Sequence, residues 1–207
     1  FNGTSDYFSA TVGTALNMGT GDFTVECWVY PTLSFSSGNS RMFMIGPLSG
    51  TGYLTFYIDS ASKVEYGPSG TTLITSTATI PLFVWTHIAI VRSSGTTTVY
   101  INGTSSGSAS DNNNYTSNEN LIISNETNPS TIAAFGGYMY YFHWIKGFAK
   151  YTNNFTIIST YQSLDIVVDS LNSVDMLLDE TIFDEAHVTC TLNKESNFRL
   201  PLKDDFP

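Results

Sequence analysis

Apolar and polar positions alternate with a period of two in short runs along the 207-residue chain, the period of a strand with one buried face. The cleanest run is 54–59, where Leu54, Phe56 and Ile58 face one way and Thr55, Tyr57 and Asp59 the other. Val64–Tyr66 pairs with it as a hairpin through the intervening Asp-Ser-Ala-Ser segment. Residues 23–30 are rich in β-branched and aromatic side chains and stop at Pro31, which reads as a strand. Phe43–Ile45 is a short apolar run closed by Gly46-Pro47. Trp85–Val91 is a strand turned by Ser93-Ser94-Gly95, and Thr97–Ile101 follows as its partner. Asn102-Gly103 then supplies a hairpin signal, because a type I′ turn needs positive φ at both central positions.

Residues 104–120 are mostly Ser, Asn, Gly and Thr and read as a polar loop, with Leu121–Ser124 a short strand after it. Residues 138–145 form an aromatic strand. Strict alternation puts Tyr138, Tyr140, Phe142 and Trp144 on one face, and Met139, Tyr141, His143 and Ile145 on the other. Both faces are apolar or aromatic, so both need cover. The exception to the β rhythm is 164–178, where Leu164, Val167, Leu171, Val174 and Leu178 keep roughly helical spacing; Val174–Leu178 fits a strand equally well. Short strands separated by turn signals argue for an all-β antiparallel sandwich of the jelly-roll kind. A chain of this length is commonly one such domain.

Composition adds a setting. Charged residues are 13% of the chain, about half the usual share, against 42% apolar. Their place is taken by Ser, Thr, Asn, Gly and Tyr, a profile that suits an extracellular or virion-surface protein. The net charge is −10, unevenly placed. Residues 1–155 carry 8 acidic and 5 basic side chains; residues 156–207 carry 10 and 3. This balance repels a phosphate backbone, so nucleic acid is not an expected partner. No run reaches the ~18 apolar residues of a membrane span, and neither a signal peptide nor an initiating Met is present, as expected of a processed or partial chain.

Chemistry-bearing motifs are few. No E-x-D-x-E carboxylate triplet, G-x-S-x-G, H-E-x-x-H or catalytic Cys/His signature occurs. The nearest carboxylate pairs, Asp165 with Asp169 and Asp175 with Asp179, flank apolar positions, so the chain is expected not to be an enzyme. Glu26 and His87 lie on apolar strands and are expected as buried, hydrogen-bonded groups, while Trp28 and Trp85 are expected in the core. Cys27 and Cys190 either form one disulfide, stapling the tail to the body, or remain buried thiols. Five glycosylation sequons begin at Asn2, Asn102, Asn114, Asn125 and Asn154.

Four blocks carry a family likeness. Phe1-Asn2-Gly3-Thr4-Ser5-Asp6-Tyr7 is similar to the "F-D-G-x-x-D-Y" opening strand of laminin G-like, concanavalin A-like jelly-roll domains. Residues 21–31 (GDFTVECWVYP) resemble "G-D-F-T-I-E-x-W-V-Y-P". Residues 85–92 (WTHIAIVR) with 99–103 (VYING) resemble "W-x-H-v-A-v-v-R … l-Y-v-N-G", and 146–156 (KGFAKYTNNFT) resemble "K-G-x-A-R-Y-T-x-N-F-T". The resemblance implies a sandwich over residues 1–156. The acidic extension 157–207 lies outside it and either completes the sandwich or mediates assembly. Where the family pattern reads "G-Y-I-D-D-F-R-I", this chain has Tyr140, Tyr141 and His143, a departure expected to remove a buried ion pair.

The resemblance further implies a glycan or surface ligand, possible calcium, and a setting on phage fibres or virions. Tyr57 and Asp59, sharing a strand face, are candidate ligand contacts, together with Asn113 and Tyr115 of the 111–120 loop. Asp6, Asp59, Asp111 and Glu119 are the candidate calcium ligands. Tyr138, Tyr140, Tyr141 and His143 form the candidate assembly surface, whose partners would be other subunits of a particle or fibre. Glycan binding and structural assembly remain the two expected roles.

Overall fold

The computed structural model describes residues 1–12, 14–35, 40–45, 54–68, 71–116, 121–124, 134–157 and 189–193. Among them there is no helix, and the strands form two antiparallel sheets, the expected jelly-roll sandwich. The seven-stranded sheet contains β1 (Tyr7–Thr11), β3 (Ser40–Ile45), β4 (Leu54–Ile58), β5 (Lys63–Pro68), β6 (Ile74–Thr79), β10 (Leu121–Ile123) and β12 (Thr189–Asn193). Its order is β12-β1-β10-β3-β4-β5-β6. The five-stranded sheet contains β2 (Phe23–Pro31), β7 (Thr86–Ser93), β8 (Thr96–Ile101), β9 (Thr104–Ser110) and β11 (Gly137–Lys146), in the order β11-β2-β7-β8-β9.

The core lies between the sheets and is built by alternation. In β2, Phe23, Val25, Cys27 and Val29 point inward, while β7 contributes Ile88 and Ile90, and β4 Leu54, Phe56 and Ile58. The outward set of β2 is then Thr24, Glu26, Trp28 and Tyr30. The turn expected at Asn102-Gly103 joins β8 to β9 with φ of 49° and 75°. Residues 104–110, read from sequence as loop, are instead the strand β9. It is a terminal strand with one solvated side, so polar residues suffice, and buried Ser106 accepts a bond from the Ala78 N–H at 2.9 Å.

At one end of the sandwich a buried cation ties loops to the core. Arg92 donates to the carbonyls of Gly21 (2.7 Å), Asn113 (2.9 Å) and Gly19 (2.8 Å). Its guanidinium lies 5.0 Å from the ring centres of both Phe23 and Tyr115. The stretch 164–178, with its helical or strand alternatives, lies outside the described residues.

Candidate functional site

The outer face of the five-stranded sheet gathers side chains the sequence scatters. On β11 the register slips between Tyr140 and His143, where Tyr141 takes φ 52°. One extra residue in a bulge reverses facial parity beyond it. Met139, Phe142 and Trp144 therefore all reach the core, while Tyr138, Tyr140 and His143 face outward. Strict alternation had placed Phe142 and Trp144 with the tyrosines; the bulge corrects that division.

Tyr138 and Tyr140 stand opposite Tyr30 and Trp28 of β2. Together with Tyr141, which is 53% exposed, they form an aromatic shelf of half-exposed rings. The Tyr30 ring lies 6.0 Å from Tyr138 and 5.4 Å from Trp85; Tyr140 and Tyr141 are 6.3 Å apart, and Trp28 lies 5.3 Å from His87. Trp85 is buried as expected, but Trp28 is only half-buried, on the outer face rather than in the core. An alternating strand covered on both sides hides which of its two apolar faces is inner, and so the sequence reading missed Trp28 and Tyr30 as surface groups.

Beside the shelf, residues 147–157 cross the sheet as a strap. Ala149, Tyr151 and Phe155 pack on Ala89, Val91 and Tyr100, and the Phe155 N–H donates to the Gly103 carbonyl at 2.9 Å. Beneath the strap lies Glu26, 1% exposed. Lys150 Nζ donates to its Oε1 at 2.5 Å, and the Tyr151 hydroxyl donates to Oε2 at 2.8 Å. His143 Nδ1 lies 3.3 Å from Oε1 and His87 Nε2 3.5 Å from Oε2. Burial alone would push the Glu26 carboxyl up; the bonds from His143, His87 and Lys150 outweigh it and hold the group well below the ordinary carboxylate range. Burial, with the Glu26 charge alongside, pushes the Tyr151 phenol up to about 12. Glu26 is thus the buried, hydrogen-bonded group the sequence suggests, while His87 is buried with only a 3.5 Å contact to Glu26 and no partner at Nδ1. His143, standing where the family pattern has Arg, contacts Glu26 at 3.3 Å. On the far side of the strap an open polar groove of about 490 Å³ is lined by Thr98, Tyr100, Ser105, Thr152, Asn153 and Asn154.

The other candidates fall elsewhere. Asp111 and Tyr115 come together with Asn113, but inside the protein. Asp111 accepts from Tyr66 (2.8 Å), Thr97 (2.7 Å), Asn113 (2.8 Å) and Tyr115 (3.1 Å), and lies 3.9 Å from Arg92. Burial would raise its carboxyl, yet the donors, Thr97 and Asn113 first, hold it low. These residues close a buried network instead of facing a ligand or cation, because Arg92 draws the 111–115 segment inward. Tyr57 faces outward on the seven-stranded sheet, donating to Glu65 with Arg41 over its ring at 5.1 Å. Asp59 is not beside it in function: its carboxylate caps the β4–β5 turn through the N–H groups of Ala61 (2.9 Å) and Lys63 (2.8 Å). Asp6 accepts from the Asn2 N–H at 3.1 Å. Glu119 lies outside the described residues, and among these no three His, Cys, Asp or Glu side chains are grouped as a metal would require.

Among the sequons, Asn2, Asn102 and Asn154 each accept a backbone N–H through Oδ1, and Asn114 is exposed; Asn125 lies outside the described residues. Cys27 is a buried free thiol, and Cys190 sits on β12 opposite Ala10 of β1.

Residues 2–148 match the family model described as the concanavalin A-like lectin/glucanases superfamily. The chain belongs to that superfamily. No curated protein sequence matches it. Among solved structures it is similar to a Bacteroides ovatus ATCC 8483 protein described as carbohydrate binding, with a TM-score of 0.55 and 15% identity over 76% of this chain. That match spans 48% of the Bacteroides protein, so this superfamily member covers about half of that chain's length. It is also similar to the native heptameric SAP-like pentraxin from Limulus polyphemus, with a TM-score of 0.50 and 16% identity over 91% of this chain and 95% of the pentraxin. A third, lower likeness is to domains LG4-5 of the mouse laminin alpha1 chain, with a TM-score of 0.48 and 14% identity over 68% of this chain and 41% of that one.

Proposed function

We propose that the chain is a non-catalytic carbohydrate-binding module whose ligand stacks on the aromatic shelf. The carrying observation is the set of half-exposed rings Trp28, Tyr30, Tyr138, Tyr140 and Tyr141 on two adjacent strands and their bulge. Rings anchored on paired strands form a rigid platform that loses little entropy on binding. Their faces suit the apolar C–H patches of sugar rings, and the four tyrosine hydroxyls can donate to and accept from sugar hydroxyls. The Bacteroides protein of the same fold, described as carbohydrate binding, is in line with this reading.

A catalytic role fits less well. A glycosidase needs two carboxyls flanking the bond, one kept protonated as the acid. Glu26, beside the shelf, is instead covered by the strap and held ionised. Display on an extracellular or viral particle surface belongs to the same proposal, supported by the low share of charged residues. A second reading, subunit contact within such a particle, is supported by the shelf's position on β11, the terminal strand of its sheet among the described residues.

The test is a glycan array and affinity electrophoresis with the wild type, Trp28→Ala and Tyr141→Ala, with melting curves alongside. Binding should weaken about tenfold or more in each variant, while each still melts cooperatively. Unchanged binding in both would refute the shelf as the site. Absence of glycan binding, together with an oligomer that both substitutions dissociate, would replace this reading with the assembly one.

A further inference from the structure

The charges around the shelf narrow what it can hold. Acidic sugars are recognised through their carboxylate or sulfate groups, which call for an Arg fork or a Lys ammonium at the contact. The described residues contain five such cations, and each has a place elsewhere. Arg41 and Lys63 belong to β3 and β5 of the opposite sheet. Arg92 is fully buried against three carbonyls. Lys150, on the strap itself, is bound to Glu26 with its side chain 34% exposed. Lys146 ends β11 opposite Phe23, five residues along β2 from Trp28, or roughly 17 Å at the strand rise.

The two imidazoles near the shelf, His87 and His143, both face Glu26. That carboxylate is therefore matched by donors, and the shelf presents rings and phenolic hydroxyls without an uncommitted charge among the described groups. The chain's net charge of −10 adds a repulsive field against anions.

We infer that the shelf takes neutral glycans, chains of uncharged pyranose rings, and discriminates against sialylated, uronic or sulfated ones; this rests on the carbohydrate-binding reading above. Recognition is by stacking and hydroxyl exchange and needs no cation bridge. Asp59 and Asp111 spend their oxygens on a turn and a buried network, and no metal-sized acidic cluster stands among the described residues.

The experiment uses the full chain at physiological salt, with and without excess EDTA. Titrations compare neutral polysaccharides (β-glucan, mannan, galactan) with sialyllactose, polygalacturonate and heparin. The expected result is binding to at least one neutral glycan, unaffected by EDTA and about tenfold or more tighter than any acidic one. Preference for an acidic glycan, or loss of neutral binding in EDTA, would overturn the inference and leave the carbohydrate-binding reading standing. Failure of every glycan to bind would overturn both. Tyr141→Arg supplies an independent check: placing a guanidinium on the shelf should raise affinity for sialyllactose, and no gain would count against the shelf as the contact surface.

Discussion

Replacing Glu26 with Gln keeps the shape of the side chain and removes its charge. The carboxylate meets four groups: Lys150 and His143 at Oε1, Tyr151 and His87 at Oε2. An amide turns one oxygen into a donor, so about half of these contacts become donor against donor. A charge-assisted bond contributes about 1.5–3 kcal/mol. The Lys150 side chain is 34% exposed, and its share belongs at the low end after solvent screening. The expected loss is about 3 kcal/mol, at the lower edge of what removing one partner of a buried pair costs. For a domain of this size that is a drop in Tm of about 6–12 °C, read by calorimetry at neutral pH. The pH dependence gives a second readout. Glu26 titrates lower in the folded than in the unfolded chain, so its contribution is complete above the ordinary carboxylate value of about 4.3 and is lost as pH falls below it. The gap between wild type and Glu26→Gln should therefore close in acid. A variant melting within about 2 °C of wild type at neutral pH, or a gap unchanged in acid, would refute the role given to this carboxylate.

Gly103→Ala should cost about 2–3 kcal/mol in urea denaturation, because φ is +75° and a Cβ would stand 2.0 Å from the Phe155 carbonyl oxygen; equal stability would mean the strap does not dock there. The Cys27 thiol, pushed up to about 12 first by burial and then by the Glu26 charge, should resist a thiol-specific reagent in the native protein and react only on unfolding; rapid native labelling would contradict its burial.

The sandwich was legible because its signals are local. Alternation at 54–58, the Asn102-Gly103 turn and the Trp85–Val91 run each specify an element without reference to distant residues. β9 was hidden because Thr104–Ser110 pairs through its backbone with several side chains exposed, and so needs no apolar ones. The site was legible only in part. Tyr138, Tyr140, Tyr141 and His143 announce themselves by composition, but Trp28 and Tyr30 join them only through strand pairing. Asp111 and Tyr115 looked like loop chemistry because nothing near them in sequence reveals Arg92 drawing them inward. Glu26 was rightly read as buried, yet Lys150 and Tyr151 reach it across more than a hundred residues of chain.

The bulge at Tyr141 makes β11 a strand with two phases. Before it, even-numbered residues look outward; after it, odd-numbered ones do. Removing that single residue would not merely shorten the strand by one step. It would turn one half over relative to the other, so that either Tyr138 and Tyr140 enter the core or Phe142 and Trp144 leave it. Core and shelf are thus written in the same ten residues, and one positive φ angle keeps the two messages from colliding.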